Sequence, residues 1–255
     1  MILSCEAVTL SVPGRVLCRD LSVRFGPAEV WAILGRNGTG KTTLIHALGG
    51  LATPAAGRVA LEGRALETLH GRERARGIGV VLQMEEGRFW GTVEEYVLLG
   101  RFAHVSPWSG YSVEDVAQAR AALESLGMTA FFNRRFSSLS GGERQRARIA
   151  QVLAQMPQVF LLDEPLQHLD LAHQAHVLRL LASRARTTGE TVVMVMHEPF
   201  WIGRGCSHAL VFDGDGSAAA GRADEVLTRE RLEHAYGCSL SEMPHGEGRS
   251  FVPDI

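Results

Sequence analysis

One short stretch of this chain holds its only lysine. Gly35-Arg36-Asn37-Gly38-Thr39-Gly40-Lys41-Thr42 fits G-x-x-x-x-G-K-[ST] at every fixed position. The other basic residues, out of 26 lysines and arginines, are all arginine. A compact ammonium on a flexible stem reaches between the β- and γ-phosphates of a nucleotide, where a planar guanidinium fits poorly. Glycines at 35, 38 and 40 let backbone N–H groups converge on phosphate oxygens. A helix starting at Lys41 adds the partial positive charge of its N-terminus. Thr42 is placed to put its hydroxyl on a magnesium ion, and Thr43 belongs to the same phosphate-binding set.

A second chemical element is Val159-Phe160-Leu161-Leu162-Asp163-Glu164, an apolar run ending in two acids. Parallel strands present functional groups at their carboxyl ends. Asp163 is expected to hold magnesium through water, and Glu164 to polarise the water that attacks the γ-phosphate. A third is Leu139-Ser140-Gly141-Gly142-Glu143-Arg144-Gln145-Arg146. Ser140 followed three residues on by Glu143 is a capping box, and a capped helix N-terminus is also a phosphate site. One nucleotide does not need two such loops. The economical arrangement is a dimer in which Ser140, Gly141 and Gly142 serve the partner's nucleotide.

The elements that must position these groups follow from periodicity. Residues 1–25 alternate around Pro13-Gly14, which predicts an antiparallel hairpin. Val30 to Leu34 is a strand leading into the phosphate loop, and Thr42 to Leu48 has helical spacing. Strands are predicted at 57–62, 78–82, 159–162 and 191–196, with Gln83 directly after the second of these. From about residue 92 to 150 the pattern is helical, opening on Thr92-Val93-Glu94-Glu95 and including Val113 to Leu126. Leu171 to Ala185 is a further helix. Strands alternating with helices predict a mainly parallel sheet covered on both faces, interrupted by a helical insertion.

Composition bounds the rest. The chain has 255 residues, room for one large α/β domain, and its 45% hydrophobic content supplies a core. A net charge of −2 gives no global field for nucleic acid or anionic lipid. Cys5, Cys18, Cys206 and Cys238 form no C-x-x-C pair and are read as reduced cytosolic thiols. The start meets Glu6 at once, so no signal peptide is expected. No apolar run reaches 18 residues, so membrane work would need another subunit. The last 35 residues read as a small peripheral tail, with Pro244 to Ile255 expected to be poorly ordered.

In this order the motifs resemble those of the ATP-binding subunits of ABC transporters, over roughly residues 3–240. They are the phosphate loop at 35–42, Gln83, the LSGGE run at 139–143, Asp163-Glu164, Leu169-Asp170 and His197. The resemblance implies an α/β P-loop (RecA-like) core with an N-terminal antiparallel β subdomain and an inserted α-helical subdomain. Residues 1–84 and 151–240 would form the core and β subdomain, 85–150 the helical signature subdomain and 241–255 a peripheral tail, all within one ABC ATPase domain.

The resemblance also implies roles by position. Gln83 would touch magnesium and the attacking water and relay nucleotide state to a membrane subunit. His197 would contact the γ-phosphate and position the water with Glu164. Asp170 would meet the partner's phosphate loop. ATP and Mg2+ are the implied cofactors. The implied partners are a second copy, head to tail across two ATP, an integral membrane permease and, indirectly, a periplasmic or extracellular binding protein. The implied location is the cytoplasmic face of the inner membrane.

Three departures stand out. No aromatic residue stands near Val12, where the family often stacks adenine. Leu166-Gln167 replaces small polar residues, and Glu198-Pro199 follows His197 where Asp is usual. The segments Gly91 to Arg101, Leu169 to Gln174 and Gly221 to Thr228 are similar to importers of iron-siderophore, haem and cobalamin, leaning to cobalamin or ferric siderophore. An exporter ATPase, or a soluble ABC-type ATPase without transport, is the alternative. The cluster His168, His173, His176 lacks an acid or cysteine to complete a metal site and reads as a solvated helix face.

Overall fold

The computed structural model describes residues 1–83, 89–106, 110–196, 201, 205–245 and 248–254. Its centre is a six-stranded sheet. Strands β3 (Val30–Leu34), β6 (Ile78–Val81), β7 (Val159–Asp163), β8 (Thr191–Val195) and β9 (His208–Phe212) run parallel, and β10 (Ala218–Arg222) closes one edge antiparallel. The order across the sheet is β10-β9-β3-β8-β7-β6. β3, β7 and β8 are buried at every residue. Such continuous apolar runs are what a sheet covered on both faces requires.

Alternation along these runs divides the core in two. In β3, Val30, Ala32 and Leu34 face one cluster, while Trp31 and Ile33 face the other. The strand period of two makes this unavoidable. On the Trp31 side lie helix α1 (Lys41–Leu48) and a four-stranded antiparallel sheet. That sheet is built from β1 (Leu3–Val12), β2 (Arg15–Phe25), β4 (Ala56–Leu61) and the short β5 (Arg64–Ala65). β1 and β2 form the hairpin expected at Pro13-Gly14, with Val12 paired to Arg15. After β5 comes α2 (Gly71–Gly77), which feeds β6.

On the Ala32 side lie α5 (Gly141–Gln155), α6 (Leu171–Thr188) and the helical insertion. The insertion contributes α3 (Val93–Leu98), a 3-10 turn Leu99–Ala103 and α4 (Val113–Ser125). α3, α4 and α5 each begin with a complete capping box, at Thr92/Glu95, Ser112/Asp115 and Ser140/Glu143. Each box satisfies two orphan donors of a helix start, so these N-termini are set by sequence.

The segment expected as a poorly ordered tail is instead paired. Residues 240–245 and 248–253 pair antiparallel, β11 (Leu240–His245) against β12 (Gly248–Pro253). Leu240 and Phe251 are buried in the Ala32-side core, which anchors it. Two apolar residues 11 apart give no periodic signal, so composition alone read as a tail. Among the described residues, no helix is long and apolar enough to cross a membrane.

One buried ion pair ties the insertion to α5. Arg101 donates to Asp115 at 2.9 Å and to the Ala154 carbonyl at 2.9 Å. Hydrogen bonds from the Ser112 backbone, then Arg101, hold the Asp115 carboxyl down at about 2, from 3.8. A depressed carboxylate pKa contributes stability above its unfolded value and loses it as pH falls through the folded one. Arg101→Met is therefore expected to lower unfolding stability by about 3 kcal/mol at pH 7. The deficit should shrink as pH falls from about 4 toward 2. Urea denaturation of both proteins across that range checks it, and a pH-independent deficit contradicts it.

Candidate functional site

Because β3, β6 and β7 run parallel, their carboxyl ends open on one edge of the sheet. The phosphate loop leaves β3, Gln83 follows β6, and Asp163 ends β7. This edge is where open α/β sheets bind ligands. β8 ends on the same edge at Val195, and Met196 follows it; His197 lies outside the described residues. A cleft of about 550 Å³ lies here, lined by Asn37, Gly38, Gly40, Lys41, Thr42 and Thr43 together with Gln83 and Glu164. Residues far apart in sequence thus line one cleft.

The loop is shaped by its own backbone. Gly35, Gly38 and Gly40 have φ of 136°, 78° and 113°, which L side chains rarely adopt. A Cβ on Gly35 would lie 2.9 Å from the Phe212 carbonyl oxygen, so a larger residue would displace β9. Lys41 is buried, and its ammonium donates to the Gly35 carbonyl at 2.7 Å and the Arg36 carbonyl at 2.9 Å. Thr39 donates to the same Arg36 carbonyl at 2.9 Å. Two of the three ammonium protons fold the loop, leaving one for a phosphate oxygen. Burial lowers the Lys41 pKa, and the charges of Glu164 and Asp163 raise it again. Gly40 caps α1 with no side-chain hydrogen bond, so the N–H groups of the first turn point into the cleft without a competing side chain.

Asp163 is 1% exposed, and neither carboxylate oxygen has a well-aligned hydrogen-bond partner among the described residues. Burial pushes its pKa up, while the Thr42 hydroxyl and the charges of His46 and Lys41 pull it down. A buried carboxylate without a partner is costly unless a cation or water satisfies it. Oxygen donors on Asp163, Thr42 and Gln83 suit a hard divalent cation such as magnesium, which keeps waters and phosphates as its other ligands. The residues fit that group.

Glu164 sits on a turn with φ 52°, in the left-handed region. Its carboxylate accepts from Gln167 Nε2 at 2.8 Å. Sequence reasoning noted Gln167 only as a departure; in the fold, its amide orients Glu164. Val12, the position without an aromatic residue noted above, lies at one end of the cleft. Val12, Arg15 and Leu17 line it, so an exposed arginine and two aliphatic side chains stand where a ring is common. The C-terminal part reaches the phosphate loop and the end of β9. Arg231 pairs with Asp213 at 3.0 Å, and a Cβ on Gly237 would lie 3.0 Å from the Arg36 guanidinium.

The remaining predicted groups lie elsewhere. Ser140, Gly141, Gly142 and Asp170 do not line the cleft. Ser140 accepts from the Glu143 N–H at 3.3 Å, and Glu143 accepts from the Ser140 N–H at 2.7 Å. The two glycines pack against His168. Asp170 caps α6, accepting from the His173 N–H at 2.8 Å, which lowers its pKa. His176 bonds the Ser125 carbonyl and His173 bonds Asp170, so these histidines have separate partners.

The chain's resemblances fit this geometry. A family model described as ABC transporter matches residues 18–167. The chain is 35% identical over 241 residues to the ferric enterobactin transport ATP-binding protein of Escherichia coli (strain K12), covering 94% of this chain and 89% of that one. It is 35% identical over 251 residues to the hemin import ATP-binding protein of Pseudomonas entomophila (strain L48), covering 96% of each. A metal-chelate type ABC transporter solved in an inward-facing conformation superposes with a TM-score of 0.86 at 29% identity, over 99% of this chain and 97% of that one. The dimeric structure of a bacterial ABC transporter cassette superposes with a TM-score of 0.77 at 26% identity, over 86% and 98%. A phosphate loop, a buried strand-end acid and a glutamate at one sheet edge, in a chain so matched, mean that this protein belongs to the ABC transporter family as one of its ATP-binding cassettes, which hydrolyse ATP to drive transport.

Proposed function

We propose that this chain powers uptake of a metal chelate, a ferric siderophore or haem in preference to cobalamin, through a separate membrane permease at the cytoplasmic face. The observation that carries the reading is the division of the site. Phosphate loop, Gln83 and Glu164 share one cleft, while Ser140–Gly142 and Asp170 stand outside it. Two copies placed head to tail complete two sites, each with ATP between the phosphate loop of one chain and the signature helix of the other. The named relatives favour an iron chelate as cargo.

In each site the loop amides and Lys41 hold the β- and γ-phosphates. Asp163, Thr42 and Gln83 would hold Mg2+, which when bound neutralises phosphate charge. Glu164, held by Gln167, takes the proton of the attacking water, with His197 contributing. Ser140, Gly141 and Gly142 of the second copy close over the γ-phosphate. Hydrolysis removes those contacts and the dimer reopens, because nucleotide biases closure only through its tighter binding to the closed form.

Residues 85–150 act as the helical subdomain that moves with closure. A groove of about 300 Å³ between it and the core is lined by Arg72, Val80, Leu99, Gly100, Phe102 and Gln151. Phe102 is 65% exposed and Leu99 42%, large apolar side chains facing solvent. Such a groove takes the apolar face of a partner helix, and here the permease supplies it.

Four measurements test this. The chain is co-purified with its candidate permease, and ATP hydrolysis is followed with and without cargo-loaded binding protein. Stimulation by one chelate names the cargo, and steady hydrolysis with no permease association contradicts the reading. Glu164→Gln should lower kcat by about 10³-fold while trapping an ATP-bound dimer on size exclusion; an active variant removes Glu164 as the base. Phe102→Asp should abolish permease co-purification while the isolated variant still binds ATP. At the base end, Val12→Tyr should tighten ATP binding about fivefold or more by stacking. Calorimetric titration checks it, and unchanged affinity would place the base elsewhere.

A further inference from the structure

Glu164 and His168 both have left-handed φ, 52° and 63°, within one short loop. Such strain persists only where the surroundings over-determine it. Two glutamines do so. Gln145, on α5 and 3% exposed, donates through Nε2 to the Pro165 carbonyl at 3.2 Å and the Glu164 carbonyl at 3.4 Å. Gln174, on α6, donates through Nε2 to the Leu169 carbonyl at 3.0 Å and the Leu166 carbonyl at 3.3 Å. The Trp201 indole donates to Gln174 Oε1 at 3.0 Å, which fixes the orientation of that amide. Four carbonyls of one loop are held by two side chains from two helices.

The Gln145 contact has a further consequence. α5 is the helix whose N-terminus carries Ser140, Gly141 and Gly142. At Gly142 a Cβ would stand 2.7 Å from the His168 carbonyl oxygen, so the helix start also presses on this loop. Hydrogen bonds weaken steeply with stretch and misalignment. A shift of α5 therefore either carries the Glu164 turn with it or breaks the bonds.

We propose that Gln145 is a positioning residue for hydrolysis, coupling the signature helix to the backbone turn that aims Glu164 of the same chain. The idea rests on Glu164 as base and on the dimer. Within that reading, the helix that senses the partner's nucleotide also sets this chain's base.

The test is ATP hydrolysis by the assembled complex with permease. Gln145→Met keeps the volume and removes both donors. Its kcat is expected to fall about 10- to 100-fold, with KM for ATP changed less than about twofold. Combined with Glu164→Ala, Gln145→Met should cause no further loss, because it acts through Glu164. A buried residue that only maintained the fold would lower the rate in both backgrounds. Additive losses, or a raised KM with unchanged kcat, overturn the proposal. Gln174→Met is the second variant, with the same non-additivity and a smaller loss expected. An additive loss there overturns the clamp even where Gln145→Met does not fold. An active Glu164→Gln enzyme would instead overturn the functional reading itself, so the two failures are distinguishable.

Discussion

Burial of the parallel sheet on both faces is the constraint from which the site follows. β3, β7 and β8 expose no residue to solvent, so each sends alternate side chains into two separate cores. A strand buried on both faces offers its chemistry only at its ends. Parallel direction then puts the carboxyl ends together, and segments from residues 35, 83 and 163 meet without any of them being near another in sequence.

At that edge the protein holds arrangements that cost stability. A buried carboxylate at Asp163 with no well-aligned hydrogen-bond partner among the described residues, a buried lysine and a left-handed glutamate lie at one edge of the sheet. Each is unfavourable alone, by burial of charge or by backbone strain. Their coincidence fits the proposed ligands of opposite sign: phosphates for Lys41 and the loop amides, a divalent cation for Asp163. Stability is supplied elsewhere, by the two apolar cores and by pairs such as Arg101–Asp115.

The signature helix joins these two economies. Its N-terminus is capped and stands outside the cleft, its body packs in the Ala32-side core, and its Gln145 side chain reaches the loop of Glu164. The helical insertion is fastened to the same helix through Arg101 and the Ala154 carbonyl. One element therefore carries hydrogen bonds both to the insertion and to the Glu164 loop, and in the proposed function it links motion of the insertion to the aim of the base. A groove beside that insertion exposes Phe102, the surface proposed above for the membrane partner.

The sequence by itself determined the local chemistry. Glycine spacing fixed the phosphate loop, an apolar run ending in Asp163-Glu164 fixed the second strand end, and Ser140 with Glu143 fixed the start of α5, because each signal lies within a few residues. Only tertiary structure decided the contacts across distance: Gln145 on the Glu164 turn, Gln174 bonded to Trp201, and Arg15 and Leu17 beside Val12 in the cleft. It also decided that the C-terminal segment pairs antiparallel and packs through Leu240 and Phe251. Glutamine is as common on a solvated face as in a buried bond, and short mixed strands carry no period. What each side chain donates to depends on which backbone the fold brings against it.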